Sequence, residues 1–423
     1  MTIRFKKDFD AGAFLSRLGK DRTVDPSSGK VSYHSLFEHL DLVEMLFDGL
    51  ETDAEIPEVE LRSALRRALN SEPFTLVSTK QKLNRFATQY LKREATEYLL
   101  ITTVSAVGQM PTIVPDPGGC QLSFSAGIPA AFSETRREKL KTAEHMLHSR
   151  LPERATYACV SLVARSDHQA AEKALDAIDL QRGLWNFLLN SMTLTRITTG
   201  GIRRPVNLIC LGPVHTLHFP DGRLASDVFW YEPDYVDAAK AFDITGHAEE
   251  LAENAKILTN QIDVKSPEYA ALIRAAFMRY SRILDDASWE TAFVGLWSLL
   301  EFLTGTTRAD YDRMVKRVAF LFEDHEYVRQ VLGQLRDHRN KAIHSGKYPS
   351  SIEMHLHRLK QYVHQAMLFH LRFQPSFDSL ADATEFLDQP IDAEANRKRM
   401  SLAELALRFR QSNGHDPADT YSN

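Results

Sequence analysis

The 423-residue chain is 43% hydrophobic and 25% charged, the balance of a globular protein with room for two or three domains. Its net charge of −5 and isoelectric point near 6.4 exclude a general, whole-surface nucleic-acid binder, so any contact with RNA has to be a local basic patch. Cys120, Cys159 and Cys210 are widely separated and odd in number, which argues against a disulfide framework or thiolate metal site and for a reduced, cytoplasmic setting; no secretory leader or membrane-spanning run is expected.

The chain is expected to divide near Gln261 into an α+β region (1–260), an all-α helical bundle (261–373) and a tail (374–423). Asp25-Pro26-Ser27-Ser28-Gly29 marks a turn, Tyr33 to Leu50 an amphipathic stretch, and residues 58–70 and 79–95 are predicted helices, the second rich in Lys and Arg. The period then changes to two. Strands are predicted at Glu97–Val104, Cys120–Ser125 and Tyr157–Ala164, the first two flanking a Pro/Gly-rich loop at 111–119, and a helix follows from about Asp167 to Asn190. Val206–Leu211, His215–Phe219 and Val228–Tyr231 add short strand signals. Five helical stretches come next, at 267–284, 287–304, 308–323, 325–344 and 351–372. The tail holds one more, 393–411, before a polar end expected to be disordered.

Several motifs in the first region carry little chemistry. Pro117-Gly118-Gly119 and Gly200-Gly201 lack the phosphate-loop and dinucleotide spacings and are expected to be hairpin turns. His145 and His148 have no further ligands nearby, and His355 and His357, two apart, diverge on a helix. Arg203-Arg204 and the run Arg136, Arg137, Lys139, Lys141 offer positive charge, but a charge run is ordinarily a solvated face.

The most informative segment is Arg339-Asn340-Lys341-Ala342-Ile343-His344, which closes the fourth bundle helix and runs into the stop signal Ser345-Gly346. Asn340 and His344 lie one turn apart on one face, with Arg336 a turn earlier; Arg339 points elsewhere, but its long side chain can curl back. Cationic side chains at a helix C-terminus are favoured by the dipole alone, so the segment needs a chemical argument beyond its charge.

Cleaving RNA without a metal requires a base for the ribose 2′-OH, an acid for the departing 5′-oxygen and positive charge on the phosphorane. Histidine suits proton transfer at neutral pH, and arginine is always charged and grips two phosphate oxygens. In this reading His344 is the acid or base, Arg339 the electrostatic clamp, and Asn340 orients His344 or the scissile phosphate. One histidine does not easily hold both proton roles; a homodimer facing two copies of the helix would supply two. Arg336 and Lys341 are expected to contact RNA rather than take part in the chemistry.

The segment resembles the Arg-x(4–6)-His motif of HEPN domains in its Arg-Asn-x-x-x-His form. The helix Trp289 to Leu303, followed by Arg317-Val318-Ala319, is similar to the Apea-like branch of that family. The resemblance covers about a quarter of the chain and says nothing of the rest. It implies an all-α bundle, a metal-independent endoribonuclease without cofactor, an RNA substrate and a homodimer with a composite cleft. It also implies a setting in anti-phage defence as a conditional toxin, with residues 1–260 sensing a phage-derived or cellular trigger. The same resemblance makes Glu301, costly on an apolar helix unless paired, the expected partner of Arg339; a rim carboxylate touching water is the alternative. The competing class is a non-catalytic bundle that binds RNA, a nucleotide or a protein.

Overall fold

The computed structural model describes residues 2–28, 30–111, 118–147, 155–192, 204–233, 235, 241–306, 310–345, 351–372 and 377–412, without the side chains of residues 36, 192, 342–345 and 412. The polar end, the Gly200-Gly201 turn, His148 and Arg203 therefore lie outside the described residues. The chain is mixed α+β with a helix-rich C-terminal region, and forms two compact units. One comprises residues 1–104, 112–178 and 211–233; the other, 105–111, 179–210 and 234–423. This division does not follow a single cut near Gln261, because the chain returns twice to the second unit before that point.

The first unit begins with α1 (Ala11–Asp21), α2 (Leu36–Asp48), α3 (Glu58–Leu69) and α4 (Leu76–Leu91). Asp10, Ser35 and Thr75 cap α1, α2 and α4 by accepting from backbone N–H groups three residues on, at 3.0, 3.2 and 3.1 Å. Leu15, Leu18, Leu46, Leu65, Leu69, Leu83 and Tyr90 fill a common core. Two hairpin-sized strand pairs accompany these helices, Ile3–Phe5 with Leu50–Thr52 and Arg22–Val24 with Val31–Tyr33. At three residues each they are too short for a period of two to declare itself.

The same unit holds an antiparallel sheet in the order Trp230–Tyr231, Val214–His218, Thr96–Val104, Thr156–Ala164, Gln121–Ser125. In register, Leu100 faces Val160 and Leu217, and both neighbours bury Leu100 completely. The predicted strand Val206–Leu211 is absent except for one bridge between Leu211 and Val104. Helix α5 (Ser133–Leu147) corrects the reading of its charge run. Arg137 and Lys141 are exposed, but Arg136 is 1% exposed and donates to Ile101 O (2.7 Å), Thr216 Oγ1 (2.6 Å) and Val214 O (3.1 Å). It stays charged although burial lowers its pKa to about 10.

Helix α6 (Asp167–Met192) contributes its second half to the other unit, where α7 (Ala248–Asp263), α8 (Pro267–Asp285), α9 (Trp289–Leu303), α10 (Tyr311–Ala319), α11 (His325–Ser345) and α12 (Ile352–Arg372) follow. Among the described residues from 261 to 373 every regular element is a helix. The helix starts are written in the sequence: Ser266 caps α8 ahead of Pro267, Ser288 caps α9, and Asp310 caps α10. The apolar α9 is the inner helix, its Phe293, Leu296, Trp297 and Leu300 all within 1% of full burial. Gly183 of α6 lets that helix lie against α8, since a Cβ there would stand 2.4 Å from Phe277 O.

Several polar groups inside this unit are paired. Arg182 donates to Asp179 (2.5 Å), Asp285 (2.7 Å) and Ile209 O (3.1 Å). On α12, His364 meets Tyr280 OH at 2.6 Å, and His370 bridges Tyr269 OH (2.6 Å) and Leu303 O (2.8 Å). Burial drives their pKa values down to about 3 and about 4, so both are neutral. The tail expected beyond residue 373 contains a further element, α13 (Leu380–Leu387), packed through Phe377, Ala383 and Leu387, before α14 (Ala393–Ser412) matches the predicted helix.

Candidate functional site

The site is built where α10 and α11 meet. Tyr311 and Asp312, from the capped start of α10, face Arg336 and Arg339 in the last three turns of α11. Arg336 Nη1 lies 2.6 Å from Asp312 Oδ1, and Arg339 Nη1 donates to Tyr311 OH at 2.8 Å. The guanidinium of Arg339 also stands over the Tyr311 ring, 5.1 Å from its centroid, so the same phenol provides an acceptor and a π face. A second bond from Nη1 reaches Asn340 Oδ1 at 3.3 Å.

The rest of the Arg339 guanidinium is open. Nε is buried and has no hydrogen-bond partner among the described residues, and Nη2 makes none of the bonds found there. A buried donor without an acceptor is costly; Nε of Arg22, Arg136 and Arg182 is unpaired in the same way, so what sets Arg339 apart is its place beside Asn340 and His344 on α11. Here one corner is anchored by Tyr311 and Asn340, while the Nε–Nη2 edge, whose two parallel N–H groups suit a carboxylate or phosphate, is unpaired.

Glu301 does not hold Arg339. Its Oε1 accepts from the indole Nε1 of Trp297, one turn earlier on α9, at 3.1 Å, and no ion pair joins it to Arg339 among the described residues. The carboxylate is half-buried and does need a partner, as the apolar helix implies, but finds it on its own helix. Tyr311 occupies the intervening position, its ring edge-on to Trp297 at 6.2 Å and its hydroxyl on Arg339. Glu301 thus reaches Arg339 only through two aromatic side chains.

Of the other expected residues, Arg336 is partly neutralised by Asp312, and Lys341 is exposed. His344 lies on α11 one turn beyond Asn340, with its side chain outside the described residues. His338, beside the motif, stacks on His355 of α12 at 4.6 Å. Burial first, and His338 second, lower the pKa of His355. His357 is likewise held down to about 4 by burial and by Lys360.

One group among the described residues has the makings of a metal site, in the other unit: Glu60, Asp167 and His168, with donor atoms within 4.8 Å of one another. Glu60 lies more than a hundred positions from the adjacent pair Asp167 and His168, so no spacing announces the group. Arg93 already pairs with Glu60 (3.5 Å), and Ser226 Oγ donates to Asp167 (2.7 Å). Tyr311 was equally hidden in the sequence, being 28 residues from Arg339; its place at the first position of a capped helix facing the motif is visible only in the fold. No helix among the described residues is long and apolar enough to cross a membrane. No protein-family model, curated protein or solved structure matches the chain.

Proposed function

We propose that the helical unit is a metal-independent endoribonuclease of HEPN type, cleaving RNA by attack of the 2′-OH on the adjacent phosphate. The observation that carries this reading is the Arg339 guanidinium, anchored at Nη1 and unpaired along its Nε–Nη2 edge, five residues before His344 on the same helix. A fixed, partly buried cation with donors left over is an oxyanion-binding group, and interactions prepared in advance for developing charge contribute most to such reactions. Asn340, its Oδ1 engaged by Arg339, has its amide N–H groups left to donate to phosphate or imidazole. His344 is assigned the proton abstraction from the 2′-OH.

In this proposal the active form is a homodimer bringing two α11 helices together, and the α+β unit senses a trigger and restrains the nuclease. An unrestrained ribonuclease poisons its own cell, so a conditional toxin of anti-phage defence suits a chain with a large companion region. Incubation with single-stranded RNA and tRNA in EDTA tests the reading. The expected products carry 2′,3′-cyclic phosphate and 5′-hydroxyl ends, and chelator-sensitive cleavage or 3′-hydroxyl ends would falsify it.

A further inference from the structure

From the contact between α10 and α11 we infer that Tyr311 is a catalytic residue of this site, donating its phenolic proton to the leaving 5′-oxygen. The inference rests on the ribonuclease reading and supplies what that reading lacks, a second proton-transfer group within one chain.

The geometry fixes the direction of the hydrogen bond. Arginine has donors only, so in the 2.8 Å contact Arg339 Nη1 donates and the Tyr311 oxygen accepts. The phenol's own hydrogen is then not used in that bond, and Tyr311 makes no other hydrogen bond among the described residues. It is half-buried, so it can meet a substrate. A phosphate taken by the free donors of Arg339 lies beside the same guanidinium that holds the phenol. The position of the ring is set independently of substrate: Trp297 packs on it edge-on at 6.2 Å, and the Trp297 indole is itself held by Glu301. Glu301 is in this sense a positioning residue two contacts removed.

The step balances as follows. His344 takes the 2′-OH proton as O2′ bonds to phosphorus; the P–O5′ bond breaks, and O5′ receives the Tyr311 proton. The phenolate that remains is stabilised by the Arg339 cation at 2.8 Å and regains a proton from solvent, to which His344 returns the one it took. No oxidant or metal enters, and within the proposed homodimer both proton-transfer groups of one site come from the same chain.

Tyr311→Phe removes the hydroxyl and keeps the ring on Trp297 and under Arg339, so thermal melting is expected to stay near native. The test measures cleavage of one RNA linkage in two forms, the ordinary 5′-oxygen ester and the same linkage with sulfur bridging at the 5′ position, whose thiolate leaves without an acid. The expected result for Tyr311→Phe is a loss of about 100-fold or more on the oxygen substrate and a near-native rate on the sulfur substrate. A loss on both substrates overturns the acid role, reducing Tyr311 to a holder of Arg339. A native rate on both, with His344→Ala inactive, overturns the inference and leaves the ribonuclease reading standing. If the native protein cuts neither substrate, the reading itself fails and takes the inference with it.

Discussion

Arg317 and Arg339 stand on successive helices of one unit, the first buried and the second partly buried, and show two ways of accommodating a guanidinium. Arg317 is saturated: Nε and Nη2 meet Asp388 at 2.8 and 2.6 Å, and Nη1 donates to Thr304 O. Arg313 joins the same carboxylate at 2.6 Å, and these bonds hold the Asp388 carboxyl far below the usual range. Arg339 has one anchored corner and an unpaired edge. Arg317, with a protein partner on each of its three nitrogens, clamps α13 to α10; Arg339 has an edge left over among the described residues, as Arg22 does, and differs from Arg22 in standing beside Asn340 and His344. The resemblance in sequence drew Arg317 and Arg339 into one pattern, and only their partners separate a fastening from a candidate site.

The largest expected effect lies at the open arginine. Arg339→Ala and His344→Ala should each lower RNA cleavage by about 10²–10⁴-fold while leaving the thermal midpoint close to native, measured on the same preparations by end-labelled RNA and circular dichroism. A drop in cleavage matched by a drop in folded protein would place Arg339 beside Arg317 as a fastening.

The saturated arginine should behave in the opposite way. Asp388→Asn leaves Arg317 buried without its counter-charge and should cost about 2 kcal/mol in urea unfolding, a value reduced from that of a fully buried pair because Asp388 is partly exposed. Cleavage per folded molecule should not change. A variant as stable as native would mean that α13 is held by its apolar contacts alone, including Phe386 on Phe320 and Phe369.

Next in size is the response of the bundle to acid. His364 and His370 are depressed to about 3 and about 4 by burial, whereas the unfolded chain takes up protons near the ordinary histidine value of about 6.5. The stability these neutral imidazoles allow is present above that value and is lost as pH falls toward their folded pKa. Each should cost on the order of 1–2 kcal/mol between pH 7 and pH 5. A urea midpoint equal at the two pH values would show that the imidazoles are not held neutral. The same slope warns that loss of cleavage below pH 6 has to be separated from loss of fold.

The smallest effect is expected at Glu301. Glu301→Gln keeps an oxygen for the Trp297 indole and removes only a charge that Arg339 does not use, so cleavage should stay within about twofold of native. A loss comparable with that of Arg339→Ala would restore the ion pair that the resemblance implied and the side-chain geometry lacks.

These contrasts also show what a sequence makes legible. The five bundle helices emerge within a few residues of their expected spans because their apolar positions recur at three and four and their starts carry Ser, Asp and Pro signals. The strands 96–104 and 156–164 are long enough for alternation to show; the three-residue strands near the N-terminus are not. Side-chain partners are a different matter. Glu301 had to be paired, yet whether to Arg339 or to Trp297 depends on how α9 is rotated against α10. Arg136 shares a helical stripe with Leu140, Ala143 and Leu147, a sign of burial that its charged neighbours mask. The motif names Arg339, Asn340 and His344; that Tyr311 belongs with them is information held by the packing of two helices.

The most direct measurement is the cleavage rate of Arg339→Lys beside native protein and Arg339→Ala, in EDTA on a single RNA linkage. Lysine keeps the charge but has neither the planar edge nor the shared corner with Tyr311 and Asn340. The account expects Arg339→Lys to fall nearly to the level of Arg339→Ala, because the unpaired Nε–Nη2 edge and not the charge alone is to receive the phosphate. A lysine variant that cuts like native protein, or a native protein that leaves the RNA intact, would contradict it.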